Sequence, residues 1–216
     1  MTSLSTADLR VVHVLRVRGF VDTPLVAEVA GMSVDEATSV LTALEAAGHA
    51  RHREGRMSGW MLTSDGRAHG EVLLAEELVG LGCRAEVEGA YSRFLEGNQG
   101  FLGLCTDWQL RPHPGDPSGE PVMNDHADPA YDEAVIGRLA ETDSAIQPVC
   151  AALAALLERF GGYGERFATA LDRVTGGDLD WFTKPMIESY HTVWFELHEN
   201  LLATLGIQRS KEHASG

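Results

Sequence analysis

LEAAGHARHREGRMSGWMLTSDGR, residues 44–67, passes from the end of a helix through a hairpin to the start of another helix. Gly48 supplies a helix stop, because glycine takes the left-handed conformation that closes a last turn at no steric cost. Residues 49–53 then read as a strand, 54–59 as a turn containing Gly55 and Gly59, and 60–62 as the returning strand. Thr63 or Ser64 caps the helix that opens with Asp65, Gly66 and Arg67.

Working backward from this stretch, three more helices are predicted. Ser5 or Thr6 caps the first, whose apolar positions Leu9, Val12, Val14, Leu15 and Val17 run to the stop at Gly19. Asp22 or Thr23 caps the second, with Pro24 in the first turn, where its missing N–H leaves no bond unmade. Gly31 ends it. Ser33 and Glu36 have capping-box spacing, and Val34, Ala37, Val40, Leu41 and Leu44 make the inner stripe of the third. Short helix, tight turn, longer helix and hairpin in this order predict a winged helix-turn-helix over residues 1–70.

Working forward, the pattern is helical from 68 to about 96 with a bend at Gly80-Leu81-Gly82, followed by a short helix to Trp108. Residues 110–123, LRPHPGDPSGEPVM, hold four prolines and two glycines and predict a surface loop. Helical stretches near 129–142, 146–160, 163–174 and 185–205 follow, with no period-two alternation. The fold class is therefore mostly α: an N-terminal winged helix-turn-helix with a small β-hairpin wing, then an all-α domain over 71–216.

Composition sets limits on function. The chain has 216 residues, 44% of them hydrophobic, enough for two cores without staples. No run reaches the ~20 apolar residues of a membrane span, and the opening MTSLSTADLR lacks the basic start of a signal peptide, so a cytoplasmic protein with no membrane partner is expected. Cys83, Cys105 and Cys150 are widely spaced among apolar neighbours and read as buried thiols. The net charge of -15 opposes indiscriminate nucleic-acid binding, but it is uneven. Residues 1–72 carry 7 Arg against 9 acids, for -2, and residues 73–216 carry 10 Lys and Arg against 23 acids, for -13. Lysine is nearly absent while Ala, Gly, Val and Arg are plentiful, a codon bias of GC-rich genomes.

The segment 44–67 resembles the corresponding stretch of MarR-type winged-helix regulators, and the resemblance covers about a third of the chain. It implies double-stranded DNA as partner, a homodimer and a small-molecule effector, with no cofactor and no catalytic role. The MarR wing carries an Asp-x-Arg pattern, and Glu54-Gly55-Arg56 keeps that order with a changed acid. In the third helix Thr38, Ser39 and Thr42 can touch bases or phosphates, although residues 33–47 contain no basic residue and offer Asp35, Glu36 and Glu45. The basic side chains gather in the wing and after it, at Arg51, Arg53, Arg56 and Arg67, with Arg56 at the tip. A winged helix used for dimerisation or protein docking, its charges merely solvated, is the alternative. The phrases GRMSGWMLTSDGR and SYHTVWFELHENLLATLG are also similar to segments of actinobacterial proteins carrying phosphoenolpyruvate synthase or pyruvate phosphate dikinase modules. The chain has no Gly-rich phosphate loop, Gly-x-Ser-x-Gly elbow, Cys-x-x-Cys pair or His-Glu-x-x-His run.

Two polar groupings lie in the second part. Asn124, Asp125, His126, Asp128, Tyr131 and Asp132 crowd into nine positions; helix capping at Asp128-Pro129 explains part of this and leaves Asn124, Asp125 and His126 as ligand candidates. On the last helix, Ile187, Tyr190, Trp194, Leu197, Leu201 and Leu205 form one stripe that also contains His191 and His198. Seven residues, about 10.5 Å, separate the two histidines, too far to share an ion. Glu188-x-x-His191 matches one half of a di-iron carboxylate motif, and no second copy exists. Satisfied core histidines are one reading. The other is a ligand cavity lined by Trp108, Tyr190, His191, Trp194 and His198. A metal-dependent enzyme using Asp125, His126, Glu188 and His191 is a distant third.

Overall fold

The computed structural model describes residues 5–116 and 118–208. The chain is mostly helical: α1 Ala7–Arg18, α2 Thr23–Ala30, α3 Val34–Ala46, α4 Ser64–Leu81, α5 Arg84–Gln109, α6 Pro129–Leu156, α7 Tyr163–Thr175, α8 Asp180–Thr183 and α9 Tyr190–Leu205. Two small antiparallel sheets are present, β1 Ala50–Arg53 with β2 Gly59–Leu62, and β3 Leu110–Arg111 with β4 Val122–Met123. Among the described residues no helix is long and apolar enough to cross a membrane.

The helix starts follow side-chain chemistry. Thr6, Asp22, Ser33 and Thr63 each accept a backbone N–H of the first turn, and Ser33 and Glu36 complete a reciprocal capping box. Gly31 closes α2 in the left-handed region at φ 62°, and Arg10 donates to the end carbonyls of Ala30 and Gly31. In the hairpin Ala50 pairs with Leu62, Arg51 with Met61, His52 with Trp60 and Arg53 with Gly59. Val21 adds a bridge to Trp60, its N–H donating to the Trp60 carbonyl at 3.0 Å and its carbonyl accepting at 2.7 Å.

Two glycines of the 44–67 stretch are steric necessities. A Cβ on Gly59 would stand 2.8 Å from the Phe20 ring, and one on Gly66 would stand 1.8 Å from the His49 carbonyl oxygen. The first turn of α4 therefore lies directly on the entry to β1. Thr63 donates its hydroxyl to the Gly48 carbonyl at 2.7 Å and fixes the same junction.

The chain divides into two compact units: described residues 5–88, 154–160 and 196–208 form the first, and 89–153 with 161–195 the second. Chemistry accounts for the later segments of the first. Arg18 pairs with Glu196 at 3.0 Å, Arg84 donates to the Leu205 carbonyl, buried Arg159 pairs with Glu77, and Ala203 packs with Leu9 and Leu74. Its main core gathers Val11, Val12, Leu15, Val26, Leu41, Trp60 and Leu62. Five consecutive residues of α1, from Val11 to Leu15, are buried, so this helix is enclosed on all sides.

Several element boundaries differ from expectation. The helix predicted over 68–96 is two: α4 ends at Leu81, and Gly82, at φ 63°, closes it in the left-handed region. α5 then runs unbroken to Gln109, because Phe94, Phe101, Leu104 and Trp108 are buried at helical spacing and outweigh the low propensity of Gly97, Gly100 and Gly103. The stretches near 129–142 and 146–160 are one helix, α6, with Pro148 inside it, ending at Leu156 before a separate 3-10 turn at Glu158–Phe160. The last helix begins at Tyr190, not 185; Met186 has φ 65° and the Ser189 hydroxyl accepts the Thr192 N–H. The proline-rich loop is pinched at both ends by β3 and β4, so the second part is not purely helical; Pro117, within that loop, lies outside the described residues.

Candidate nucleic-acid interface and candidate ligand cavity

In β1 the alternation of a strand puts Arg51 and Arg53 on one face, opposite Ala50 and His52. Arg51, Arg53, Arg56 and Arg67 are all exposed, and none has an ion-pair partner among the described residues. His52 is held against Trp60, ring centroids 4.6 Å apart, and its backbone N–H donates to Glu45 Oε1 at 3.0 Å, which ties β1 to α3.

The outer face of α3 is different. Thr38, Ser39 and Thr42 are exposed, and their hydroxyls donate back to the carbonyls of Val34, Asp35 and Thr38 at 2.7–2.9 Å, leaving oxygen lone pairs free to accept. Asp35, Glu36 and Glu45 share the exposed surface. Hydrogen bonds from the Ser33 backbone and hydroxyl hold the Glu36 carboxyl below its ordinary range, so it stays charged.

The 124–132 grouping is a latch. Asn124 donates from Nδ2 to the Trp108 carbonyl at 3.2 Å and to Asp132 Oδ1 at 2.8 Å, and its Oδ1 accepts the His126 N–H at 3.1 Å. His126, at φ 56°, sets Nδ1 3.0 Å from Asp132 Oδ2 with its ring 4.6 Å from Trp108. Asp125 pairs with Arg111, and the Tyr131 hydroxyl sits between the carbonyls of Asp107 and Leu110. Most polar groups of the grouping thus fasten the end of α5 and the loop to the start of α6. Glu188 pairs with Arg166, and among the described residues no three His, Cys, Asp or Glu side chains are grouped to hold a metal.

Of the set expected along α9, Tyr190, His191 and Trp194 each lie against the Phe101 ring. Tyr190 is fully buried; its hydroxyl donates to Asp143 at 3.2 Å, and burial pushes its ionisation upward. The same desolvation raises the Asp143 carboxyl. His191 is half-buried beside Phe101, its basicity lowered by burial, and belongs to the second unit. His198 is buried in the first. Burial also pushes the Cys105 and Cys150 thiols up to about 12, which leaves them unreactive.

A cavity of about 480 Å³ does exist in the second unit, and of the expected residues only Trp194 lines it. It runs between α5 and α6, over Phe94, Phe101, Ile146 and Trp194, with Arg93, Glu96 and Glu141 at its exposed rim. Phe101 stacks on Trp194 at 4.3 Å, and the indole N–H donates to Asn98 Oδ1 at 2.9 Å, so the floor is fixed. Sequence reading missed Glu96, Phe101 and Glu141. The available signal was Gly97 and Gly100 inside an otherwise apolar helical pattern, which marks a face without side chains.

The chain matches no family model, no curated protein and no solved structure. The functional reading therefore rests on the residues themselves.

Proposed function

We propose that this chain is a DNA-binding transcriptional regulator of winged helix-turn-helix, MarR-like design, with a helical effector-sensing part. One observation carries the reading: α2, the tight turn at Gly31 and α3 are followed by a short hairpin that presents Arg51, Arg53 and Arg56 unpaired to solvent. In this reading the hairpin supplies phosphate and minor-groove contacts, and the hydroxyls of Thr38, Ser39 and Thr42 approach the major groove. Paired half-sites call for two copies. The exposed stripe Ala68, Val72, Ala75 and Val79 on α4 has the 4-3-4 spacing of a self-complementary helix seam, and Val79 is 82% exposed. The experiment is retention of a random duplex pool at low salt by wild-type and Arg53→Ala/Arg56→Ala protein. Selective retention lost in the variant supports the reading, and no retention by wild type sinks it.

The acidic outer face of α3 favours a second reading, an accessory module whose winged helix docks on protein. A basic protein partner bound without DNA, and released by Asp35→Asn/Glu45→Gln, would replace the first reading with this one.

A further inference from the structure

We infer that the groove between α5 and α6 binds a lipophilic organic cation that carries aryl groups. The inference deepens the reading of this unit as an effector sensor and rests on it for its biological meaning, though not for its chemistry.

Three observations converge. The groove is about 480 Å³, within the ~300–1,000 Å³ of sites that take drug-sized ligands. Its floor is aromatic, and electron-rich ring faces of Trp and Phe attract cations. The space is made by backbone: a Cβ on Gly100 would meet nothing within 4 Å, and one on Gly97 would only touch Trp194 Cη2 at 3.6 Å. Two glycines in mid-helix weaken α5, and what they leave in return is an open approach to the indole.

Charge selects the sign of the occupant. Glu96 and Glu141 stand at the rim with no ion-pair partner among the described residues, opposed by Arg93 alone, so the rim carries a net -1. The surrounding unit, residues 89–153 and 161–195, holds 6 Lys and Arg against 15 Asp and Glu, hence -9. This field concentrates cations and repels anions. A site with an aromatic floor and a carboxylate rim offers acceptors and π faces, with the Arg93 guanidinium as the cationic group of its lining.

The test uses two probes of the same tetrahedral aryl shape and opposite charge, tetraphenylphosphonium and tetraphenylborate, titrated calorimetrically into the full chain without DNA. Saturable binding of about one phosphonium per chain is expected, with the borate at least tenfold weaker. Glu96→Gln/Glu141→Gln should weaken the phosphonium about tenfold and leave the borate no weaker. Gly100→Phe should abolish phosphonium binding by filling the groove; if that variant fails to fold, the charge variants decide. Equal affinity for both probes, no saturable binding, or no effect of the double variant overturns the inference. If the phosphonium binds as expected but leaves DNA affinity unchanged, the site stands and the sensor reading fails.

Discussion

The indole N–H of Trp60, on β2, donates to the Thr23 hydroxyl at the start of α2, at 3.0 Å. With the Val21 bridge this makes the hairpin and the α2–α3 pair one body, so that arginines on β1 keep a fixed relation to the hydroxyls of α3. Trp60 is buried, and its N–H would have no partner without that hydroxyl. Thr23→Val keeps the shape and removes the acceptor; it should cost about 1–3 kcal/mol in urea unfolding, the penalty for an unmade buried hydrogen bond. Thr23→Ser should recover most of it. Equal stability of all three proteins would show that the bond does not hold the hairpin.

Gly66 and Gly80 lie on the same helix and should respond oppositely to alanine. At Gly66 the new Cβ would overlap the His49 carbonyl, a backbone atom that cannot step aside, so Gly66→Ala should lose 3 kcal/mol or more, of the order of large packing defects. At Gly80 nothing lies within 4 Å, and alanine should gain about 0.5–1 kcal/mol from helix propensity. Thermal melts of the two variants check both signs at once.

These glycines also mark how far the sequence could be read. Caps and stops were legible because Asp22, Ser33, Thr63 and Gly31 act within three or four residues of their own position. The hairpin was legible for the same reason. What failed was non-local: the sequence reading ends a helix near 96 and leaves a gap between 142 and 146, and burial of Phe94, Phe101, Ile146 and Val149 carries the helices through. The latch at Asn124 was visible as a cluster of polar residues, but its role was not, since its partners are carbonyls at 107–110 that composition does not reveal. The cavity was missed because a groove is made by residues far apart in sequence.

If α4 pairs with a second copy, charge on its seam should prevent it. Val72→Glu/Val79→Glu touches only exposed positions, 54% and 82%, and should leave helicity and melting temperature nearly unchanged. Sedimentation at micromolar concentration should shift from dimer to monomer, with DNA affinity falling together with it, since two half-sites no longer bind jointly. A dimer that survives both glutamates would place the pairing surface on another element.

His13 provides the pH dependence. It is buried in α1. Burial first, and then the guanidinium of Arg159, hold its basicity well below the usual histidine value; a hydrogen bond with the Asn200 side chain pulls the other way, and Arg16 adds to the lowering. The ring is therefore neutral in the folded chain and titrates near 6.5 in the unfolded one. Between the two values the unfolded state binds the extra proton, so the stability this residue permits is fully present above about pH 6.5 and is lost as pH falls toward the folded value. The slope can reach about 1.4 kcal/mol per pH unit for one proton. His13→Leu should remove that slope. His191, half-buried and lowered by burial alone, should contribute a smaller slope of the same sign, removed by His191→Leu. Urea midpoints at pH 5.5, 6.5 and 7.5 for wild type and both variants read the difference directly. If His13→Leu keeps the full wild-type loss of stability on acidification, another group carries the proton and this account of α1 is wrong.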